Sequence, residues 1–301
     1  MMRFYSGLKF PEATSDAFRN RAVTDVFEPG STMKAFSIAS GLDSKKYKPD
    51  TIINTHPGWM RVGHTLLKDE HNNGPLTITQ ILQKSSNVGN TKMILSLPPN
   101  QLWGMLHRVG FGEITGIGLP GERAGDLRKQ ENASPIALAT LGYGYGLSVT
   151  TLQLAQAYAI LANQGVKMPL SILRVSQLQA GKQVVDPTVA KQMLELLELV
   201  VEGGTGHSAH IPGYRVAGKT GTAWIVGQKG YEKHRYVSSF VGIAPVSDPL
   251  FVVAVVIRDP QGKNYLGGYV SAPVFKKIMG GTLRLLNIPP DNMTIQKDLM
   301  G

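Results

Sequence analysis

The chain has 301 residues, enough for one large domain or two small ones. Hydrophobic residues make up 42% and charged residues 17%, so a buried core is available and wholesale disorder is excluded. The absence of cysteine excludes disulfide scaffolds, thiolate metal sites and cysteine nucleophiles. A net charge of +10 favours anionic surroundings such as nucleic acid, a phospholipid surface or a polyanionic substrate.

Apolar runs such as Phe251 to Ile257 fall far short of the roughly 20 residues that span a bilayer. Met1 to Phe10 carries Arg3, Ser6 and Lys9 and has no apolar core of signal-peptide length. The first thirty residues are polar and are broken by Pro11 and Pro29. After Pro29-Gly30, a helix opens at Ser31 with Met33, Phe36, Ile38 and Ala39 apolar, and it is expected to stop near Gly41. Residues 42 to 75 read as loop, and the short Lys45, Lys46, Lys48 cluster as a solvated part of it. Leu76 to Leu82 resumes a helical pattern that runs into Ser85-Ser86-Asn87.

Thr150 to Ala162 forms a helix with Leu152, Ala155, Ala159 and Ala162 on one face, closed by Gly165. Asp186-Pro187 is a helix start, and Val189, Met193, Leu196, Leu197, Val200 and Val201 continue its apolar stripe to Gly203-Gly204. The period then changes. Tyr214 to Ala217 leads into a strand, and Val237–Ile243 and Leu250–Ile257 form an antiparallel hairpin. Ser271-Ala272-Pro273 is expected to cap a last helix bearing Val274, Phe275, Ile278 and Met279. Helices first, an antiparallel sheet late and a closing helix define an α+β arrangement.

Three short motifs carry the chemistry. Ser31-Thr32-Met33-Lys34 is S-x-x-K, Ser85-Ser86-Asn87 is S-x-N, and Lys219-Thr220-Gly221-Thr222 is K-T-G-T. A second S-x-x-K, Ser6–Lys9, runs into Phe10-Pro11, which does not favour a helix that would hold the pair together. At Ser31 the i, i+3 spacing stacks serine and lysine on one helical face, beside free N-terminal amides suited to an oxyanion. Each motif also has a plain reading: Ser31 as an N-cap, Ser85 to Asn87 as capping residues, and Lys219 to Thr222 as an edge strand with a gatekeeper lysine. Their order and settings favour function. In this order they are a signature of penicillin-binding proteins and class A β-lactamases.

The chain resembles the transpeptidase domain of a class B penicillin-binding protein, the division-specific penicillin-binding protein 3 (FtsI) type. The segments that carry the resemblance are Arg19 to Lys34 (RNRAVTDVFEPGSTMK), Gly142 to Gly165 (GYGYGLSVTTLQLAQAYAILANQG), Val216 to Ala223 (VAGKTGTA) and Tyr265 to Gly281 (YLGGYVSAPVFKKIMGG). Motif spacings of 54 and 134 residues agree with that type. The resemblance covers 19–292, leaves 1–18 as a poorly matched N-terminal remnant and 293–301 as a tail, and lacks the family's transmembrane anchor and pedestal domain. Trp224-Ile225 departs from the basic or polar residues expected after K-T-G-T-A.

The resemblance implies a penicilloyl-serine transferase (β-lactamase-like) fold, with an antiparallel sheet flanked by helices and a mostly helical subdomain. It implies crosslinking of peptidoglycan stem peptides that end in D-alanyl-D-alanine, acylation by β-lactams, and no cofactor or metal. Partners would be a division glycosyltransferase and other division proteins, at the periplasmic face of the inner membrane, without nucleic acid. Ser31 would be the nucleophile and Lys34 its base. A base of that kind must be neutral, which requires lowering a lysine from ~10.4 to ~7–8, roughly 4 kcal/mol, through burial and a second cation at Lys219. Ser85 would relay a proton to the leaving amine, and Asn87 would hold the substrate amide and Lys34. Ser86, Thr220, Gly221, Thr222 and Tyr145 would contact substrate, Thr220 and Thr222 through its carboxylate, and the backbone N–H groups of Ser31 and Thr222 would form the oxyanion hole.

Other features of the chain have competing readings. Gly142-Tyr143-Gly144-Tyr145-Gly146 lacks G-x-G-x-x-G spacing, and the resemblance makes it tight packing near the floor of the site. His207 and His210 read as surface residues. Trp224, Tyr231, Tyr236 and Phe240 read as core or rim aromatics, and Tyr265 to Gly268 as a turn or a pocket edge. A class A β-lactamase needs a glutamate with asparagine four residues on, and no glutamate here has one. A D,D-carboxypeptidase and a β-lactam sensor remain as alternatives. Nucleic-acid binding rests on charge alone.

Overall fold

The computed structural model describes residues 18–129, 133–177, 179–227 and 230–292. Residues 1–17 of the N-terminal remnant, with the Ser6–Lys9 motif, and the 293–301 tail lie outside them. A first turn of helix α1 (Arg21–Thr24) and a short strand β1 (Val26–Phe27) lead into a 3-10 turn, Gly30–Met33, which continues directly as α2 (Lys34–Asp43). The expected helix at Ser31 is therefore tighter over its first turn and ends two residues beyond Gly41.

Residues 42 to 75 are more ordered than their composition indicates. β2 (Ile52–Asn54) pairs with β5 (Pro75–Thr77), and β3 (Trp59–Val62) pairs with β4 (Thr65–Lys68) around a two-residue turn at Gly63-His64. Gly63 has φ 57°, which suits a tight hairpin and explains a glycine there. Next come α3 (Ile78–Gln83), α4 (Asn87–Leu95), α5 (Pro99–Arg108) and α6 (Pro135–Gly142). α3 starts with a capping box between Thr77 and Gln80.

β6 (Val149–Thr150) pairs with β1, and α7 (Thr151–Ala162) follows. The expected α7 face is the wrong one. Leu152, Ala155, Ala159 and Ala162 are only half-buried, whereas Gln153, Leu154, Gln156, Ala157, Tyr158, Ile160 and Leu161 are buried. Alanines on both faces blur the periodicity. Gln153 is also buried for a polar reason, donating through Nε2 to Glu113 O and Ala124 O at 2.7 Å each. A short ribbon of β7 (Val166–Lys167) and β8 (Lys182–Gln183) precedes α8 (Pro187–Gly203). Asp186 caps α8 by accepting from Thr188 N and Val189 N, and the apolar stripe foreseen for α8 is buried throughout.

β9 (Ala217–Gly227), β10 (Gly230–Ala244) and β11 (Phe251–Arg258) form an antiparallel sheet in the order β11-β10-β9. Alternation along β10 sends Val237, Val241 and Ile243 into a large core with α2, α7 and α8. Phe240 and Ala244 point the other way, into a second core under α9 (Gly267–Leu285) with Phe275, Met279 and Leu283. The sheet is thus covered on both faces, and α2 to α6 build a helical subdomain against one of them.

α9 starts six residues before Pro273, so the expected cap at Ser271 to Pro273 lies inside the helix. Pro273 has no N–H to give to the Tyr269 carbonyl one turn back. Gly267 and Gly268 make the earlier start possible. A Cβ on Gly267 would collide with Gly221 O and Ser239 O, and one on Gly268 would lie 2.7 Å from Thr205 O. The helix therefore presses its N-terminus onto β9.

Candidate active site

The 3-10 turn that carries Ser31 is fixed from three sides by main chain. Gly30 has φ 56° and donates its N–H to Gly144 O at 3.1 Å. A Cβ on Gly144 would run into the Gly30 backbone, and one on Gly30 would lie 2.8 Å from Thr222 O. From β9, a Cβ on Gly221 would lie 2.7 Å from Pro29 O and 2.9 Å from Thr32 Cγ2. The first and third motifs thus touch through backbone. Within the turn, Thr32 Oγ1 donates to Pro29 O and Tyr158 OH donates to Thr32 O, both at 2.8 Å.

The second motif sits on a local distortion. α3 ends in a Schellman arrangement, with Ser86 N donating to Ile81 O and Ser85 N to Leu82 O. The left-handed position belongs to Ser85, φ 58°, where glycine is usual. Such strain in a non-glycine residue collects at functional sites. Here it turns both the Ser85 carbonyl and its hydroxyl toward Lys34. Lys34 Nζ donates to Ser85 O at 2.6 Å, to Asn87 Oδ1 at 2.7 Å and to Ser85 Oγ at 3.1 Å. Ser86 is the N-cap of α4, accepting from Gly89 N at 2.9 Å, so the plain capping reading holds for this residue as well.

The third motif reaches the second through a residue the sequence did not single out. Thr205 N donates to Gln83 O at 3.3 Å, while Thr205 Oγ1 accepts from Thr220 Oγ1 at 2.9 Å and from Lys219 Nζ at 3.4 Å. Lys219 Nζ also donates to Thr220 O and Thr220 Oγ1, each at 3.4 Å. Thr222 Oγ1 accepts from Gly267 N at 3.0 Å and keeps its own proton for another partner. Ser31, Lys34, Ser85, Ser86, Asn87, Lys219, Thr220, Gly221 and Thr222 therefore gather in one place, although the motifs lie far apart in the chain.

Electrostatics distinguish the two lysines. Both are enclosed, Lys34 at 1% and Lys219 at 0% exposure. Burial brings Lys34 down to about 7, while the carboxylates of Asp69 and Glu70 pull it back up. Lys219 is pushed well below its ordinary value by burial first and by Lys34 second. Enclosure is the largest cause for both amines, and the repulsion between Lys34 and Lys219 works in the same direction on the pair.

Tyr145 joins the Gly142 to Gly146 segment to β9 and β10. Its ring packs against Tyr143 and Tyr231, with centroids 5.7 and 6.0 Å apart, and its hydroxyl bonds the Trp224 backbone. Glu28, three residues before Ser31, accepts from Gly146 N at 2.8 Å and Tyr231 OH at 3.2 Å. The Gly142 to Gly146 segment is thus a strut under the Ser31 turn. Trp224 stacks near Tyr236, and Tyr236 on Tyr265, with centroids 4.7 and 3.9 Å apart, whereas Phe240 is in the core. His207 and His210 stack with centroids 6.3 Å apart, and the described residues hold no group of three or more side chains arranged to bind a metal.

Residues 5–280 match the family model described as the penicillin binding protein transpeptidase domain. The chain belongs to the penicillin-binding protein transpeptidase family. It is 46% identical to the probable peptidoglycan D,D-transpeptidase PbpC of Pseudomonas aeruginosa over 91% of this chain and 49% of that protein. With the peptidoglycan D,D-transpeptidase FtsI of Escherichia coli K12 it shares 44% identity over 93% of this chain and 47% of the relative. The transpeptidase domain of Burkholderia pseudomallei penicillin-binding protein 3, in its apo structure, superposes with a TM-score of 0.87 at 44% identity, covering 91% of this chain and 84% of that one. The chain spans about half the length of the full-length curated relatives PbpC and FtsI. The α+β penicilloyl-serine transferase fold follows from the same similarity.

Proposed function

We propose that this transpeptidase-family chain performs acyl transfer at Ser31 on peptidoglycan stem peptides ending in D-alanyl-D-alanine. The observation that carries the reading is Lys34: enclosed, brought down to about 7, and held by Ser85 and Asn87 one helical turn from Ser31. A neutral Lys34 needs only two donated bonds, to Ser85 O and Asn87 Oδ1. Its lone pair is then available to a hydroxyl proton.

In this reading Ser31 Oγ attacks the penultimate D-alanine carbonyl and gives its proton to Lys34. Backbone N–H groups of Ser31 and Thr222 receive the oxyanion, where a single donor is worth about 10²–10³ in rate. As the C–N bond breaks, the proton passes through Ser85 Oγ to the departing amine of the last D-alanine. An amine of a second stem peptide then attacks the ester, loses its proton to the same relay and leaves Ser31 free. Thr220, Thr222 and Lys219 bind the terminal carboxylate, which supplies the counter-charge that Lys219 lacks when alone. Ser86 and Gly221 shape the walls beside the substrate, and Tyr145 supports the hairpin carrying Thr222. A β-lactam follows the same first step, but its opened amine stays attached and blocks the acceptor.

This assignment places the transpeptidase domain over 19–292, at the periplasmic face of the inner membrane, in septal wall synthesis with a division glycosyltransferase and other divisome proteins. The support for these finer points is the similarity to FtsI. The described residues contain no helix long and apolar enough to cross a membrane.

Incubation with a fluorescent penicillin, followed by mass spectrometry, is expected to map one adduct to Ser31 and to lose it in Ser31→Ala with an unchanged melting temperature. An adduct that persists in Ser31→Ala overturns the nucleophile. Lipid-linked pentapeptide then separates the acceptors: crosslinked dimer supports transpeptidation, released D-alanine without dimer a carboxypeptidase, and neither product a sensor.

A further inference from the structure

The side chain that fixes the second motif lies outside it. α4 begins at Asn87, and the first amides of a helix need acceptors from elsewhere. Asp69, just after β4, provides them. Its Oδ1 accepts from Asn87 N at 2.6 Å and from Val88 N at 3.0 Å, and its Oδ2 accepts from Ser86 Oγ at 2.5 Å. The carbonyl of the preceding residue, Lys68, accepts from Asn87 Nδ2 at 3.2 Å. Asn87 is therefore held at its backbone and at its amide nitrogen, which leaves Oδ1 facing Lys34 Nζ. The orientation of that amide is set by β4 and Asp69 together.

A carboxylate at a helix N-terminus is ordinary capping. Its second neighbour is not. The charged groups that face Lys34 are Asp69 and Glu70 from the end of β4 and Lys219 from β9. The α3–α4 turn offers only the neutral groups of Ser85 and Asn87. Glu70 is exposed, and Asp69 acts more strongly on Lys34 than Glu70 does.

We propose that Asp69 is a positioning residue of this site. Its carboxylate clamps the Ser85-Ser86-Asn87 turn onto α4 and, standing beside Lys34, serves as the fixed counter-charge of the buried amine. The assignment rests on the reading of Ser31 as nucleophile and Lys34 as base. It makes one residue responsible for where the second motif stands and for restoring part of the proton affinity that burial takes from Lys34.

Asp69→Asn keeps the shape and the acceptor for Asn87 N and Val88 N, but it removes the charge. The attraction that favours protonated Lys34 is then gone, so Lys34 becomes neutral at lower pH. Asp69→Glu keeps the charge and displaces the acceptor. The second-order rate of acylation by a fluorescent penicillin is to be measured from about pH 5 to about pH 9 for the wild type, Asp69→Asn, Asp69→Glu and Glu70→Gln. In the wild type the acidic limb is expected near 7. Asp69→Asn is expected to move it down by about one pH unit, Glu70→Gln by less, and Asp69→Glu to lower the plateau about tenfold with the limb in place.

A cap without an electrostatic role would lower the melting temperature and the plateau of Asp69→Asn and leave its limb unmoved, which overturns the proposal. Equal limb shifts in Asp69→Asn and Asp69→Glu also overturn it, because charge would not be the cause. If the wild type is not labelled at Ser31, the underlying reading has failed, and that is visible before any Asp69 variant is compared.

Discussion

The two walls that meet at Lys34 are built on different principles. On one side the Ser31 turn, the Gly142 to Gly146 strut and β9 are joined by backbone against backbone, with Gly30, Gly144 and Gly221 at contacts that admit no side chain. On the other side the Ser85 turn is joined to a small two-stranded ribbon through Asp69, Lys68 O and the Asn87 amide. The first wall is set mainly by sterics, which salt and pH leave alone, with the Glu28 carboxylate adding a hydrogen bond at Gly146 N. The second is fixed by charge and hydrogen bonds, which respond to both. A site that must keep its nucleophile still while moving protons gains from dividing the tasks in this way.

The largest effect is expected where the steric wall is tightest. Gly144→Ala adds a Cβ against the Gly30 backbone at a φ of 86° and is expected to cost more than about 4 kcal/mol, lowering the melting temperature by roughly 10 °C or more. A near-neutral result would mean that this wall yields, and the contrast would collapse. Next comes the amine between the walls. Lys34→Met is expected to slow penicillin acylation about 10²–10⁴-fold, measured by stopped-flow labelling, while Ser31 remains in place.

The third expectation concerns pH and stability. Unfolded Lys34 keeps its proton up to its ordinary value of 10.5, whereas folded Lys34 loses it above about 7. Between these limits the unfolded state binds more protons, so stability must rise with pH, by about 1.4 kcal/mol per pH unit for one proton. Denaturant melts at several pH values are expected to show a shallower rise in Lys34→Met, and an unchanged slope would refute the assigned titration. The smallest effect belongs to the polar wall: Ser86→Ala removes a cap and is expected to cost about 1 kcal/mol by thermal melt.

Much of this site is legible in the amino-acid order. Ser31 and Lys34 are one turn apart, and the K-T-G-T and S-x-N motifs are short enough to be read without knowing what they face. Asp186 with α8 and the β10–β11 hairpin are legible for the same reason, since each depends on neighbours within a few residues. Asp69 and Thr205 are not. Their partners lie 14 or more residues away, and nothing local marks an aspartate after β4 as the cap of α4. The α7 face misleads because buried glutamine satisfies distant carbonyls and so breaks the apolar stripe. The start of α9 misleads because Pro273 looks like a first helical residue, whereas contact with β9 places the start at Gly267.

The strut under the Ser31 turn also ties two helices together. Gly142 O accepts from Ser37 Oγ on α2 at 2.5 Å and from Asn90 Nδ2 on α4 at 2.9 Å. The helix behind the nucleophile and the helix behind the proton relay are thus hung from a single carbonyl at the back of the site. Moving α2 and α4 apart at this point costs at least one of the two bonds, so the nucleophile and the proton relay keep their spacing through one shared acceptor.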